Sequence, residues 1–387
     1  IVSGGKIETG LFPLRSTGVS TEPVRKAAAA FLRALTPEQR SRTTFAVDDD
    51  EWRKWMNQSF YVRQGVSFAE MSPAQRDTAF GLLREALSAK WLNQHFYARQ
   101  GVSFLEMAEP QREAALALLR AALSARGLKL SRDIMRLNHT LGELNHDDFE
   151  EYGEWLYWIT VMGEPSASEP WGFQLDGHHL IVNYFVLGDQ VVMSPAFFGS
   201  EPVIARAGKY QGTEILREEQ AAGLAMLRSL DPAQRRKAVL SVSKTGNNNV
   251  GEAFRDNIDL DYAGLAAREM TPAQRDQLLA LINLWVANLR DPHAKIQLAD
   301  VKQHLDRTHF AWIGGDADDA VFYFRIHSPV ILIEFDHQLP ANTRHLQKDP
   351  RVPIRDHIHT VVRTPNGNDY GKDLLRHSSA HIMATAI

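Results

Sequence analysis

The chain has 387 residues, 44% hydrophobic and 23% charged, with a formal net charge of −4. It can bury a core, and with no long basic or acidic block it lacks the electrostatic footprint of a nucleic-acid or anionic-membrane partner. Cysteine is absent, which removes disulfide scaffolds, thiolate metal sites, iron–sulfur clusters and cysteine nucleophiles, and leaves 15 histidines as the soft metal-ligand pool.

The first residues, Ile1-Val2-Ser3-Gly4-Gly5, show neither an initiator methionine nor a signal-peptide pattern, so a processed N-terminus is expected. A cysteine-free chain suits an oxidising space and equally a cytosolic one, so the address stays open between export, to periplasm or medium, which is preferred, and the cytoplasm. No apolar run reaches the roughly 18 residues of a membrane-spanning helix. Residues 54–89 recur as residues 90–125, a period of 36 with 24 identities. Each copy carries an Arg-Gln-Gly-Val-Ser-Phe turn, a helix start and an apolar run. Two copies are too few for a solenoid, so a tandem duplication within a helical region spanning 1–165 is expected.

Four helix starts are legible at Thr36-Pro37-Glu38-Gln39, Ser72-Pro73-Ala74-Gln75, Asp231-Pro232-Ala233-Gln234 and Thr271-Pro272-Ala273-Gln274. Each offers an N-cap oxygen, a proline where no amide hydrogen is needed, and a glutamine to close a capping box. The stripe Leu278, Leu279, Leu281, Ile282, Trp285 and Leu289 reads as core.

From Trp171 the pattern changes to strands. His178 to Leu187 and Gln190 to Phe198 form a hairpin around Gly188-Asp189. Val321 to His327 and Val330 to His337 form a second around Ser328-Pro329, which sets Tyr323 opposite Glu334 and Arg325 opposite Leu332. A further strand runs from Asp356 to Thr364, and a helix after Tyr370-Gly371 closes the chain. Helices fall between the strand groups, near 213–230 and 257–305. The class is therefore α+β, with an antiparallel sheet body over 166–387 that carries the site.

Read with period two, the second hairpin turns Phe322, Phe324, Ile326, Ile331, Ile333 and Phe335 to a core. Tyr323, Arg325, His327, Glu334 and Asp336 face the other way, which from the hairpin alone reads as a solvated face. His357 and His359 leave one face of their strand about 7 Å apart at Cα, close enough for two imidazoles to converge on an ion. Further ligands would come from Asp336, His309 and one of the adjacent pair His178 and His179, with His179 chosen because strand neighbours point apart. Glu334 or Asp369 would serve as general base or orienting carboxylate, with Asp369 placed to receive an imidazole N–H. Gly-x-Ser-x-Gly, His-Glu-x-x-His, phosphate-loop and dinucleotide fingerprints are all absent.

The segments Trp171 to Leu180 (WGFQLDGHHL), His309 to Trp312 (HFAW), Ile331 to Asp336 (ILIEFD), His357 to Val361 (HIHTV) and Asn368 to Leu375 (NDYGKDLL) resemble a bacterial and fungal family known as domain of unknown function 3500. The resemblance covers nearly the whole chain. It implies no settled activity, only that these motifs belong to one architecture and meet in space. The duplicated unit departs from the family pattern, in which one copy is usual.

The preferred function is a mononuclear metal-dependent hydrolase acting on a small molecule. Its ion, a divalent transition metal, would be held by His179, His357 and His359 with Asp336 or His309. Zinc would suit hydrolysis, while iron or copper on a similar set would suit oxygen chemistry. The alternative outside catalysis is a small-ligand binding protein. Trp171, His178, Trp312, Tyr323 and Arg325 would line the ligand site, with Arg325 and Arg363 clamping a carboxylate. Association into a homo-oligomer is compatible with the sequence.

Overall fold

The structure, a computed structural model, describes residues 10–12, 15–53, 101–250, 260–338 and 357–364. The first copy of the repeat, residues 90–100 of the second, Asp369 and the expected final helix lie outside the described residues. The elements begin with Glu22–Ala34 (α1), Pro37–Thr43 (α2), Thr44–Phe45 (β1), Val102–Ser103 (β2), Glu109–Ala122 (α3) and Ala125–Leu144 (α4). Tyr157–Met162 (β3), Trp171–Gly177 (β4), Leu180–Leu187 (β5) and Gln190–Ser200 (β6) follow as a meander. The second half repeats the order with Arg217–Arg228 (α5), Pro232–Ala238 (α6), Val239–Ser241 (β7), Leu265–Ala266 (β8), Pro272–Val286 (α7) and Asp291–Gln303 (α8). A second meander closes it: His309–Gly314 (β9), Phe322–His327 (β10), Leu332–His337 (β11) and Ile358–Arg363 (β12).

Thr36, Asp231 and Thr271 each accept the expected amide, and the glutamine three residues on returns the bond, so three of the four capping boxes form as read. The fourth, at Ser72, lies outside the described residues. No helix among the described residues is long and apolar enough to cross a membrane.

The twelve strands among the described residues join one sheet in the order β1-β3-β4-β5-β6-β12-β11-β10-β9-β7, with β2 also on β3 and β8 also on β9. The α+β class holds. The sheet is mixed, because β1 on β3 and β7 on β9 are parallel pairs, and strands before residue 166 belong to it. One line of directly opposed residues crosses it: Val102, Ile159, Leu175, Val182 and Ala196 from the first half, then Val362, Ile333, Ile326, Phe310 and Leu265 from the second. All ten belong to the main core under the helices. The two halves are thus related by a pseudo-two-fold axis between Ala196 and Val362.

Local detail follows the same symmetry. Gly101 and Gly264 both have positive φ, 89° and 94°, and a Cβ on either would lie 2.2 Å from a carbonyl oxygen, that of Ile159 or Phe310. Gln111 Nε2 donates to Ala34 O and to Gln39, and Gln274 Nε2 donates to Ser229 O and to Gln234. The pattern Gly-x4-Glu-Met-x3-Gln-Arg at Gly65 and Gly101 therefore recurs at Gly264, a third copy that the sequence reading missed.

The second hairpin corrects the expected register. Tyr323 opposes Asp336 and Arg325 opposes Glu334. Ser328 N donates to Ile331 O, so the turn centres on Pro329-Val330, one residue later than expected. The Ser328 hydroxyl accepts from the Val330 and Ile331 amides and fixes that choice. The resulting shift of two residues leaves each side chain on its expected face. That face is not solvated, however: Tyr323, Arg325, His327, Glu334 and Asp336 are all buried. Residues 244–250 cross over it, with Asn248 N and Asn249 N donating to Asp336 Oδ2 and Val250 N to Glu334 Oε1.

Between Gly101 and Ser124 every buried position of the second copy carries the same residue as the first, except Leu116, which answers to Phe80. Either copy can therefore supply the β2–α3 unit. Deleting residues 54–89 is expected to leave the melting temperature within about 2 °C. Deleting 90–125 instead is expected to give a folded protein destabilised by about 1–3 kcal/mol, the range for one overpacked side chain. Thermal melts of both deletions check this, and failure of either to fold would exclude interchangeable copies.

Candidate metal centre

His178 and His179 do not sit on a strand. They form the two-residue turn between β4 and β5, with Gly177 opposite Leu180, and His179 has φ of 60°. A non-glycine residue in the left-handed region costs about 1–2 kcal/mol, so the surroundings hold it there. Gly199 N donates to His179 O and Tyr157 Oη donates to His178 O. The turn also overturns the expectation that the two rings point apart. They stack with centroids 3.9 Å apart.

His357 and His359 approach from β12, next to β6. Their Nε2 atoms are 2.9 Å apart, and the ring of His179 lies 5.3 Å from His357 and 4.9 Å from His359. One nitrogen from each of His179, His357 and His359 lies within 4.8 Å of the others. Tetrahedral ligation at about 2.05 Å places ligand nitrogens about 3.3 Å apart, so bringing all three onto one ion takes a slight separation of the His357 and His359 nitrogens, now 2.9 Å apart, and an approach of His179. This group could hold a metal ion. Burial, then the neighbouring imidazoles, push the pKa values of His179 and His359 well below the usual histidine range. Those two rings are neutral and keep the lone pairs that ligation needs.

Two supports were not foreseen. Asn138 Nδ2 donates to Gly153 O, leaving its Oδ1, 2.7 Å from His178 Nδ1, to accept. That arrangement puts the His178 proton on Nδ1. Glu201, almost wholly buried just beyond β6, places Oε2 3.7 Å from His357 Nδ1. The strand was expected to end at Phe198, and no periodic signal reaches the Glu201-Pro202 that follows it.

Other expected members lie elsewhere. Asp336 is the cross-strand neighbour of His359, but its carboxylate receives Lys244 at 2.9 Å, two backbone amides and Gln338 Nε2. Burial raises its pKa to about 6 against the pull of Lys244. His309 stands three strands from β12, stacked on Tyr262 with Nδ1 donating to Arg307 O. Glu334 accepts from Tyr323 Oη at 2.7 Å and from Val250 N, so it is not an unengaged base. Trp171 and Trp312 belong to the core on the opposite face, because they alternate with Gln174 and with Ala311 and Ile313 on their strands. Neither can line this site. Arg325 and Arg363 are buried on the same face as the imidazoles.

Burial holds His327 near pKa 3 and His293 near 4. Both lie below the unfolded value of about 6.5, so between those limits the unfolded chain binds more protons and stability falls as pH falls. Each such histidine contributes at most about 1.4 kcal/mol per pH unit. Melting temperature is expected to drop steadily from pH 7 to pH 5, with a shallower slope for His293→Gln. Thermal melts across that range check it, and a flat profile would contradict neutral burial.

Comparison with known proteins places the chain by family alone. The family described as "Protein of unknown function (DUF3500)" matches residues 17–90 and 88–372, two segments that meet where the first copy of the repeat gives way to the second. No curated protein and no solved structure matches the chain.

Proposed function

The chain belongs to the DUF3500 family, and within it we propose a metal-dependent hydrolase built on His179, His357 and His359. The observation that carries this is the convergence of three imidazoles, those of His179 and His357 buried and that of His359 half-buried, with one nitrogen from each within 4.8 Å of the others. Bound zinc would leave a position for water and lower its pKa to about 7.

The chain's own residues have defined parts in this reading. The β4–β5 turn presents His179 in a fixed orientation, and Asn138 holds the adjacent His178 ring against it. Glu201 faces the far nitrogen of His357, where a carboxylate orients a ligating imidazole and raises its basicity. The ligand set is all nitrogen, which also suits copper. Iron is served less well, because a two-histidine, one-carboxylate set needs a free carboxylate and that of Asp336 is engaged.

Elemental analysis is expected to give close to one transition metal per chain, lost in His359→Ala. Chelation should lower the melting temperature, and returning zinc at a hundredfold excess over Kd should restore about 2.7 kcal/mol. Zinc-dependent hydrolysis of p-nitrophenyl acetate, absent in His359→Ala, separates a hydrolase from a binding protein. If chelated protein is as stable as untreated protein, and the double variant His357→Ala/His359→Ala changes neither metal content nor stability, no metal centre exists.

A further inference from the structure

We propose that Arg325 and His327 form an anion subsite on the face that carries the imidazole cluster, and that it takes the carboxylate of a small organic acid. Arg325 is only 7% exposed, its Nε has no hydrogen-bond partner, and it forms no ion pair among the described residues. Two residues along the same face, His327 is 1% exposed; its ring has no side-chain hydrogen-bond partner among the described residues and has the Asp261 backbone close by. Native proteins leave few buried polar groups unsatisfied, and a buried charge without a partner costs several kcal/mol. An unpaired guanidinium at one inward position, with the His327 ring at the next on the same strand, points to a ligand that completes them.

The neighbouring carboxylates do not fill the gap. Glu334, directly across from Arg325, is engaged by Tyr323 and Val250, and Asp336 by Lys244 and the 248–249 amides. The other half of the molecule supplies an internal control. There Gln174 and Asn183 oppose each other as Arg325 and Glu334 do. They satisfy one another: Gln174 Nε2 donates to Asn183 Oδ1 at 2.7 Å, and Asn183 Nδ2 donates to Pro195 O at 2.9 Å. The same place in the scaffold satisfies its own polar groups in one half and leaves Arg325 Nε without a partner in the other.

A guanidinium presents a planar fork that meets a carboxylate through two parallel hydrogen bonds. Neutral His327 adds one N–H donor without a second positive charge. Strand spacing puts Arg325 about 12 Å from His359 between Cα atoms, a span that one small molecule and two extended side chains can cover. That the acid is the substrate of the imidazole site rests on the metal reading. Carboxylate binding by Arg325 does not.

The test is thermal shift and calorimetry with acetate and succinate, against chloride at matched ionic strength. At least one carboxylate is expected to raise the melting temperature of untreated protein, chelated protein and His359→Ala alike, and Arg325→Met is expected to abolish the shift. Should Arg325→Met not fold, Arg325→Lys is expected to bind the same carboxylate about tenfold more weakly, because it keeps the charge and loses the fork. The proposal falls if neither acid outperforms chloride, if inorganic phosphate outperforms both, or if the substitution leaves affinity unchanged. If the protein binds no metal but Arg325 still governs carboxylate affinity, the metal reading fails and the subsite stands.

Discussion

The antiparallel contact between β6 and β12 is the constraint on which the rest of the molecule depends. Each half is a four-stranded meander under helices, and the halves meet where Ala196 opposes Val362. Thr360 Oγ1 donates to Phe198 O across this seam at 2.7 Å. The contact completes the core and brings the His178-His179 turn of the first half against the His357 and His359 of the second. The imidazole group therefore does not exist in either half alone.

The two halves share a scaffold and spend it differently. Where Tyr323 stands in the second half, the first has Gly172, whose added Cβ would lie 2.7 Å from the Trp52 ring. Trp52, Phe185, Phe197 and Ile181 fill that side of the first half with a small apolar cluster. The second half places Tyr323, Arg325, Glu334 and Asp336 on the matching face. At the turn that answers His178-His179 it carries Pro329-Val330. The β6 stretch that answers 357–359 is Val191, Val192 and Met193, so the symmetry of the backbone does not extend to the chemistry.

Electrostatics on the shared face follow from burial. Removing imidazoles from water disfavours the protonated form, which leaves His179 and His359 neutral and suited to a cation. Removing carboxylates from water requires donors, and Asp336 and Glu334 obtain them from the 244–250 segment, Lys244 and Tyr323. The donors that bring residues 244–250 across the face are also the ones that keep both carboxylates from Arg325.

Local signals in the sequence were enough to establish the α+β class, three capping boxes, the first hairpin and the pairing of His357 with His359, because caps, two-residue turns and period-two alternation act over a few residues. They also singled out His179, although for a strand geometry that is in fact a turn. Which residues meet across the seam was decided by tertiary structure. It enclosed Asp336 and Glu334 with amides from a distant segment, put Trp171 and Trp312 into the core, and brought Asn138 and Glu201 to the histidines from far along the chain. The third copy of the Gly-x4-Glu-Met-x3-Gln-Arg pattern was present at Gly264 throughout. Its meaning emerged from the pseudo-two-fold axis, because symmetry between halves is a relation of strand pairing, and pairing is long-range.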